Sequence, residues 1–378
     1  MLDDALLSDE TRLLAADRDG VLRAVATAGA QVRATAQAAA DVGLERELAG
    51  LRPRALVLLT RPGTTESACR LLAALLTPTA PLPVIVTGVA PPWLGPLDVV
   101  VGTHRGREGD PVEADVAESV HRAVRRGAHV VLGGPGEGPA AAAGAGRVLA
   151  VTPRLVLGVP GEDLDGLDTA TVLATGLAVA KALDLLDLDL GSLADRLDAE
   201  AERDGPRGEA FVNPAKSLAL RLAERTPLLW GADPVAGLLA GYGATVLATH
   251  AGVVAQATSV AAASAQPALR ARLQEGSGEA SIFADPFDDP APAAPPPRLV
   301  LLAVREDLAV RRLVSDVGAR HPGADVLEID DVDLAGEGAV PDALRAAVLA
   351  TRLDFTAVYL GLALGARVPG PDVWTSTT

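Results

Sequence analysis

Apolar positions recur along the chain in two rhythms. Across residues 9–46, Leu13, Leu14, Leu22 and Val25 return at helical spacing, with Gly20 as punctuation, so this stretch reads as helices. Short apolar runs then alternate with longer amphipathic stretches. Ala55–Leu59 predicts a buried strand, Thr60–Thr65 a turn and Glu66–Leu76 a helix. Val84–Val86 and Leu97–Val101 predict two more strands, and Val112–Arg126 an amphipathic helix. His129–Leu132 predicts a strand that runs into the turn Gly133–Gly138, and Leu149–Val151 another strand. Repeated strand–helix units with glycine-rich turns predict a parallel, doubly wound α/β sheet.

The pattern then repeats coarsely. Residues 165–202 are Leu-rich and helical, a connector expected to pack across the first domain, and 203–209 are a polar break. Leu218–Arg225 predicts a helix, Pro227–Trp230 a strand and Val235–Ala248 a helix. Leu299–Val304 predicts a strand, Leu308–Arg320 a helix, Val326–Ile329 a strand and Pro341–Ala363 a helical pair. The expected organisation is an N-terminal helical segment (1–48), a first α/β subdomain (49–160), a helical connector (161–205) and a second α/β subdomain (206–378). Within the last, the Gly/Ser- and Pro-rich stretch 275–298 reads as a linker.

Composition narrows the function classes. The 378 residues are 49% hydrophobic but only 2% aromatic, so the cores are built from Ala, Val and Leu, and aromatic base-stacking surfaces are not expected. The net charge of −16 disfavours nucleic acid and anionic membrane as partners. Lys181 and Lys216 are the only lysines, and Cys69 the only cysteine, which excludes an intrachain disulfide framework and a multi-cysteine zinc site. The acidic start MLDDALLSDE lacks the features of a signal peptide. No apolar span of about 18 residues or more is read as a membrane helix. The Ala-rich stretch 173–183 comes nearest, closed off by Lys181 and Asp184. The cytoplasm is the expected compartment.

Open parallel sheets place ligands at the carboxyl ends of their strands, so the turns there carry the candidate chemistry. In the turn after the first strand, Gly63, Thr64, Thr65 and Ser67 combine a glycine with hydroxyls at a helix start. Such an arrangement suits a phosphate. The alternative is an ordinary N-cap by Thr64 or Thr65, with Glu66 in the first turn. After the third strand, Thr103, Arg105 and Arg107, with His104, could grip a phosphate, or the segment is a solvated loop. The turn Gly133-Gly134-Pro135-Gly136 is not a dinucleotide fingerprint. His104, His121, His129, His250 and His321 are scattered, without metal-ligand spacing, so no metal and no cofactor is expected. No G-x-S-x-G and no P-loop occur. His250 is the one candidate catalytic residue, with a surface or capping role as its alternative.

Several longer segments carry a resemblance. Phe211-Val212-Asn213-Pro214-Ala215-Lys216-Ser217-Leu218-Ala219, Pro227–Gly231 and Pro234–Gly237 resemble the bifunctional phosphoglucose/phosphomannose isomerases, which are sugar isomerase (SIS) domain proteins. The segment Asp354-Phe355-Thr356-Ala357-Val358-Tyr359-Leu360, followed by Gly365 and Pro369, is similar to that family's closing helix. The chain looks most like the family's actinobacterial, TobH-type branch. The resemblance implies two flavodoxin-like SIS subdomains, a homodimer, and a sugar phosphate as ligand. It also implies aldose–ketose isomerisation through an enediol, which needs a carboxylate base, a ring-opening histidine and a cation near the oxyanion.

The chain departs from the family where that chemistry resides. Pro62-Gly63-Thr64-Thr65 stands at the family's GGSG turn, and Thr103–Glu108 at its second phosphate loop. Thr249 stands where the base is expected, and no Glu occurs between Glu224 and Glu275. Ala261–Gln266 contains no histidine, and no lysine follows Trp374. The leading expectation is a catalytically inactive, sugar-phosphate-binding SIS protein. One alternative is an active isomerase using displaced residues such as His250, Arg105 and Arg107. The other is a non-catalytic sugar-phosphate sensor or dimeric scaffold.

Overall fold

The computed structural model describes residues 2–78, 80–144, 146–154, 168–276, 295–329 and 341–366. The chain opens with helices α1 (Asp4–Leu7), α2 (Glu10–Ala16), α3 (Val21–Ala26), α4 (Ala28–Asp41) and α5 (Leu44–Leu48). There follow β1 (Ala55–Leu59), α6 (Thr64–Leu76), β2 (Val84–Thr87), β3 (Asp98–Thr103), α7 (Pro111–Arg125), β4 (His129–Gly133), α8 (Pro139–Gly144) and β5 (Leu149–Val151). The connector region holds two helices, α9 (Thr169–Ala182) and α10 (Leu190–Arg203), and then comes α11 (Pro214–Leu222). The second pattern comprises β6 (Thr226–Gly231), α12 (Pro234–Val246), a π-helical turn (Leu247–Ala251), β7 (Gln256–Ser259), α13 (Val260–Ser264) and α14 (Pro267–Gly276). It ends with β8 (Pro297–Leu302), α15 (Leu308–Arg320), β9 (Asp325–Leu327) and α16 (Asp342–Leu364).

The chain forms two compact units, one of residues 23–202 and 336–348, the other of 1–22, 203–335 and 349–378. In the first unit five parallel strands lie in the order β2-β1-β3-β4-β5. β1 and β3 are fully buried and largely apolar, as a sheet covered on both faces requires. Val57, Leu59, Val100, Val130 and Leu132 pack one face against Val116, Val120 and Ala123 of α7. The predicted connector helix α9 packs against α4, α5 and α6. In the second unit four parallel strands lie in the order β7-β6-β8-β9, with Leu228, Trp230, Leu299 and Leu301 at the core. Both sheets are therefore doubly wound, as expected, and each reverses direction beside its first strand, between β1 and β3 and between β6 and β8.

Several boundaries depart from the expected ones. Helix α6 begins at Thr64 rather than Glu66, and its N-cap is Gly63 with no side-chain cap, which corrects the capping assigned to Thr64 or Thr65. The segment expected as a helical pair over Pro341–Ala363 is one 23-residue helix. This α16 is also long and apolar enough to cross a membrane, contrary to expectation, but 89% of its apolar window is buried inside the protein. It is a core helix. The helix predicted over Leu218–Arg225 instead starts at Pro214 and ends at Leu222. Strand β7 and helices α13 and α14 were not anticipated. Most of the expected linker, residues 277–294, and Pro369 and Trp374 lie outside the described residues.

The segments that carry the family resemblance knit the second unit together. Asn213 caps α11 by accepting the Lys216 N–H at 2.8 Å, with Pro214 in the first helical position. The buried Lys216 ammonium donates to the carbonyls of Leu7 (2.8 Å), Pro206 (2.7 Å) and Gly208 (2.8 Å) and lies over the Tyr359 ring. The Tyr359 hydroxyl in turn donates to the Asp204 carbonyl at 2.6 Å. Lys216 has a structural role, and burial pulls its pKa down.

Candidate functional site

The turns after β1 and β3 meet at the first sheet's reversal point. There the neighbouring crossovers leave on opposite faces and open a crevice at the strand ends. Leu59 and Gly102 are register partners at those ends, so Thr60–Thr65 and Thr103–Gly106 leave the sheet side by side. Gly63 adopts φ 92°, a backbone conformation that favours glycine, and open space surrounds the position a Cβ would take. As the N-cap residue of α6, Gly63 supplies no side-chain cap.

A single carboxylate gathers the two turns. Asp168, the residue before α9, accepts from the Arg61 guanidinium, from the Thr65 hydroxyl at 3.3 Å and from the Arg105 guanidinium at 3.5 Å. All three donors reach the same oxygen, Oδ2, while Oδ1 is buried with no hydrogen-bond partner. Burial opposes ionisation of Asp168, yet the Arg61 and Arg105 charges outweigh it and hold the carboxyl below its usual range. Asp168 occupies the N-cap position of α9 but makes no side-chain cap hydrogen bond.

A second carboxylate lies beneath the first. Glu113, in the first turn of α7, is fully buried. It accepts the backbone N–H of Arg105 (3.1 Å to each oxygen) and of Gly106 (3.0 Å), and pairs with Arg61 at 3.7 Å. Two consecutive amides converging on an oxyanion form an anion nest, and the nest here already holds Glu113. His104 lies 3.9 Å from the same carboxylate, and burial nonetheless draws its pKa down, toward the neutral imidazole. Arg61 Nε, Thr103 Oγ1 and His104 Nδ1 are buried without a hydrogen-bond partner.

The glycine-rich turn after β4 serves this arrangement by close packing. A Cβ on Gly134 would run into the His104 carbonyl, and one on Gly138 into the backbone of Gly106. Its glycines bring backbone against backbone rather than against a dinucleotide.

Of the residues proposed from sequence, Gly63, Thr64, Thr65, Thr103 and Arg105 gather at this crevice. Thr64 and Thr65 are buried, Ser67 lies one turn into α6 with its N–H bonded to the Gly63 carbonyl, and Arg107 is close enough to depress the Arg105 pKa, after burial and Arg61. His250 belongs to the other unit. It is buried in the π-helical turn, its Nε2 has no hydrogen-bond partner, and desolvation pulls its pKa down to about 4. It lines a cavity of about 560 Å³ together with Asp17, Asp19, Val358 and Leu362. At the second sheet's reversal point, Asp233 accepts the N–H groups of Ala236, Val304 and Arg305 at 2.8 to 3.1 Å. Gly231 packs directly against the α12 backbone there. Among the described residues no group of three His, Cys, Asp or Glu side chains could hold a metal ion.

Sequence reasoning missed Arg61 as an anion ligand and missed both carboxylates. Arg61 carried a signal, since it directly follows the last residues of a buried strand. Glu113 follows an Asp-Pro helix start, and Asp168 precedes an apolar helix, where a carboxylate ordinarily reads as a cap.

No family model matches the sequence, and no curated protein matches it. The fold, however, is shared with solved structures. The C-terminal domain of glucosamine-fructose-6-phosphate aminotransferase from Francisella tularensis superposes with a TM-score of 0.62 at 14% identity, over 92% of this chain and 96% of that one. Tagatose-6-phosphate ketose/aldose isomerase from Escherichia coli gives 0.60 at 13% identity, over 97% of each chain. Glucosamine-6-phosphate deaminase from Thermotoga maritima gives 0.57 at 11% identity, over 91% and 95%. The chain shares the fold of these proteins, two parallel α/β sheets flanked by helices.

Proposed function

We propose that this chain is a sugar-phosphate-binding protein of the SIS type, related to the phosphoglucose/phosphomannose isomerases and without isomerase turnover. The observation that carries the reading is the convergence of Arg61, Arg105 and the Thr65 hydroxyl on one anionic group, beside the start of α6. Two guanidiniums and a hydroxyl beside a helix N-terminus are a donor set that suits a phosphate monoester. The solved structures of like fold include proteins named for fructose 6-phosphate, tagatose 6-phosphate and glucosamine 6-phosphate, which supports a phosphorylated sugar as ligand class.

Absence of turnover rests on the residues. The second unit offers no glutamate between Glu224 and Glu275 for a base. Its histidine nearest the expected position, His250, has the lowered pKa of a buried imidazole. Such a group is a poor proton donor for ring opening at neutral pH.

Calorimetric titration with fructose 6-phosphate and with fructose is the direct test. The phosphorylated sugar is expected to bind and the free sugar not to bind, and Arg105→Gln should weaken the binding at least tenfold. A coupled assay should detect no conversion of fructose 6-phosphate to glucose 6-phosphate or mannose 6-phosphate. One observation favours the runner-up, an isomerase using displaced residues: the unpartnered His250 Nε2 beside its cavity. Turnover that disappears in His250→Ala would establish that alternative instead. Assembly as a homodimer belongs to the same proposal, and light scattering of the purified chain tests it.

A further inference from the structure

We infer that Asp168 is an internal competitor for the anion seat, so that a phosphate monoester binds only by displacing its carboxylate. This rests on the reading of that crevice as a phosphate site. The Asp168 carboxylate leaves its own helix uncapped. A carboxylate at a helix N-cap normally accepts an amide of the first turn and so stabilises the helix. Asp168 holds the N-cap position and makes no such bond. Its described partners are the Arg61 and Arg105 guanidiniums and the Thr65 hydroxyl, all on one oxygen.

Among the described residues, the Arg61 and Arg105 guanidiniums already meet carboxylates, Asp168 for both and Glu113 for Arg61, with the Arg107 charge near enough to act on Arg105. Carboxylate already paired with both guanidiniums lowers their net attraction for a dianion, and the whole-chain charge of −16 adds repulsion. Exchanging Asp168 for a phosphate leaves both arginines paired and sets the anion beside the α6 N-terminus, whose dipole favours it.

The two carboxylates are not equivalent. Glu113 is fully buried and holds two backbone amides, so it is built into the loop. The Asp168 side chain keeps 21% of its surface exposed, and its other oxygen makes no hydrogen bond. Asp168 is the exchangeable one.

The test is calorimetric titration of the full chain and of Asp168→Asn with inorganic phosphate, fructose 6-phosphate and fructose. Asp168→Ser serves as a second variant, because Ser and Asn are both favoured at helix N-caps and either keeps α9 able to start. The expected result is at least tenfold tighter binding of both phosphate-bearing ligands to the folded variants, with fructose unchanged. The gain should vanish when Arg105→Gln is added. Gain for fructose 6-phosphate alone would assign the seat to the esterified sugar, and gain for both to the phosphate group itself. Phosphate binding of equal strength in the unmodified chain and the variants would overturn the competitor role and leave the phosphate site standing. Folded variants that bind no phosphate at all would overturn the site reading beneath it.

Discussion

Single residues in this protein settle questions of charge. The Lys216 ammonium is buried and satisfied by three carbonyls. Lys216→Met keeps most of the packing but leaves three acceptors without a donor, which should cost roughly 3 kcal/mol or more, read as a fall in the urea midpoint. His250 and Asp354 carry opposite pH signatures. Desolvation draws His250 down to about 4, so the folded state binds fewer protons than the unfolded state between that value and the ordinary 6.5. Its stabilising contribution is present above 6.5 and lost as pH falls through that window, at up to about 1.4 kcal/mol per pH unit. His250→Gln should flatten the acid limb of stability against pH. Burial pushes Asp354 up to about 8 despite the 2.5 Å hydrogen bond from Tyr242. The folded state therefore holds an extra proton between the ordinary carboxylate value and about 8, and stability falls as pH rises across that range. Asp354→Asn should remove this decline, as chemical denaturation at pH 5 and pH 8 would reveal. None of these environments could be read from the chain. Asp168 and Arg61 stand 107 positions apart, and nothing local marks them as partners.

Elements were more legible where they announce themselves. The Asp110-Pro111, Asn213-Pro214 and Asp233-Pro234 pairs each start a helix, with the side chain capping and the proline in the first turn. The buried strand β1 is an unbroken apolar run, and β3 and β4 are each centred on one, Val99–Val101 and Val130–Leu132. Strand β7 does not, because Gln256–Ser259 is a half-buried edge strand with little apolar signal. The π-helical turn after α12 escaped notice for another reason: its wider backbone is fitted to a neighbour. A Cβ on Gly361 of α16 would collide with the His250 carbonyl, so helix and turn touch backbone to backbone. Gly361→Ala must push them apart, and the expected loss is about 1–3 kcal/mol, visible as a lower Tm. A Tm unchanged within error would mean the close approach is not required.

At the scale of the whole molecule, charge and topology dominate. With a net charge of −16, an anionic ligand approaches against a repulsive field. Raising ionic strength to about 0.15 M shortens the screening length to about 8 Å, so the association rate of fructose 6-phosphate should rise with salt in stopped-flow measurements. A rate that falls with salt would point to a local positive field strong enough to override the net charge. The two sheets reverse beside β1 and beside β6, and each reversal brings loop amides onto an acidic side chain: Glu113 at the first, Asp233 at the second. At the second, Gly231 lies directly against α12, whereas open space surrounds Gly63 at the first.

By itself the sequence determined the fold class, the main buried strands and the lack of any glutamate between Glu224 and Glu275, because these depend on local composition and spacing. It also placed Gly63, Thr65 and Arg105 at strand ends. Tertiary structure alone decided that Arg61, Arg105 and Thr65 share one anion and that the anion is Asp168. That outcome depends on bringing α9 over the β1 and β3 turns, a contact between segments far apart in the chain. Whether a carboxylate caps its own helix or fills another loop's anion seat is fixed by which donors lie nearest in space.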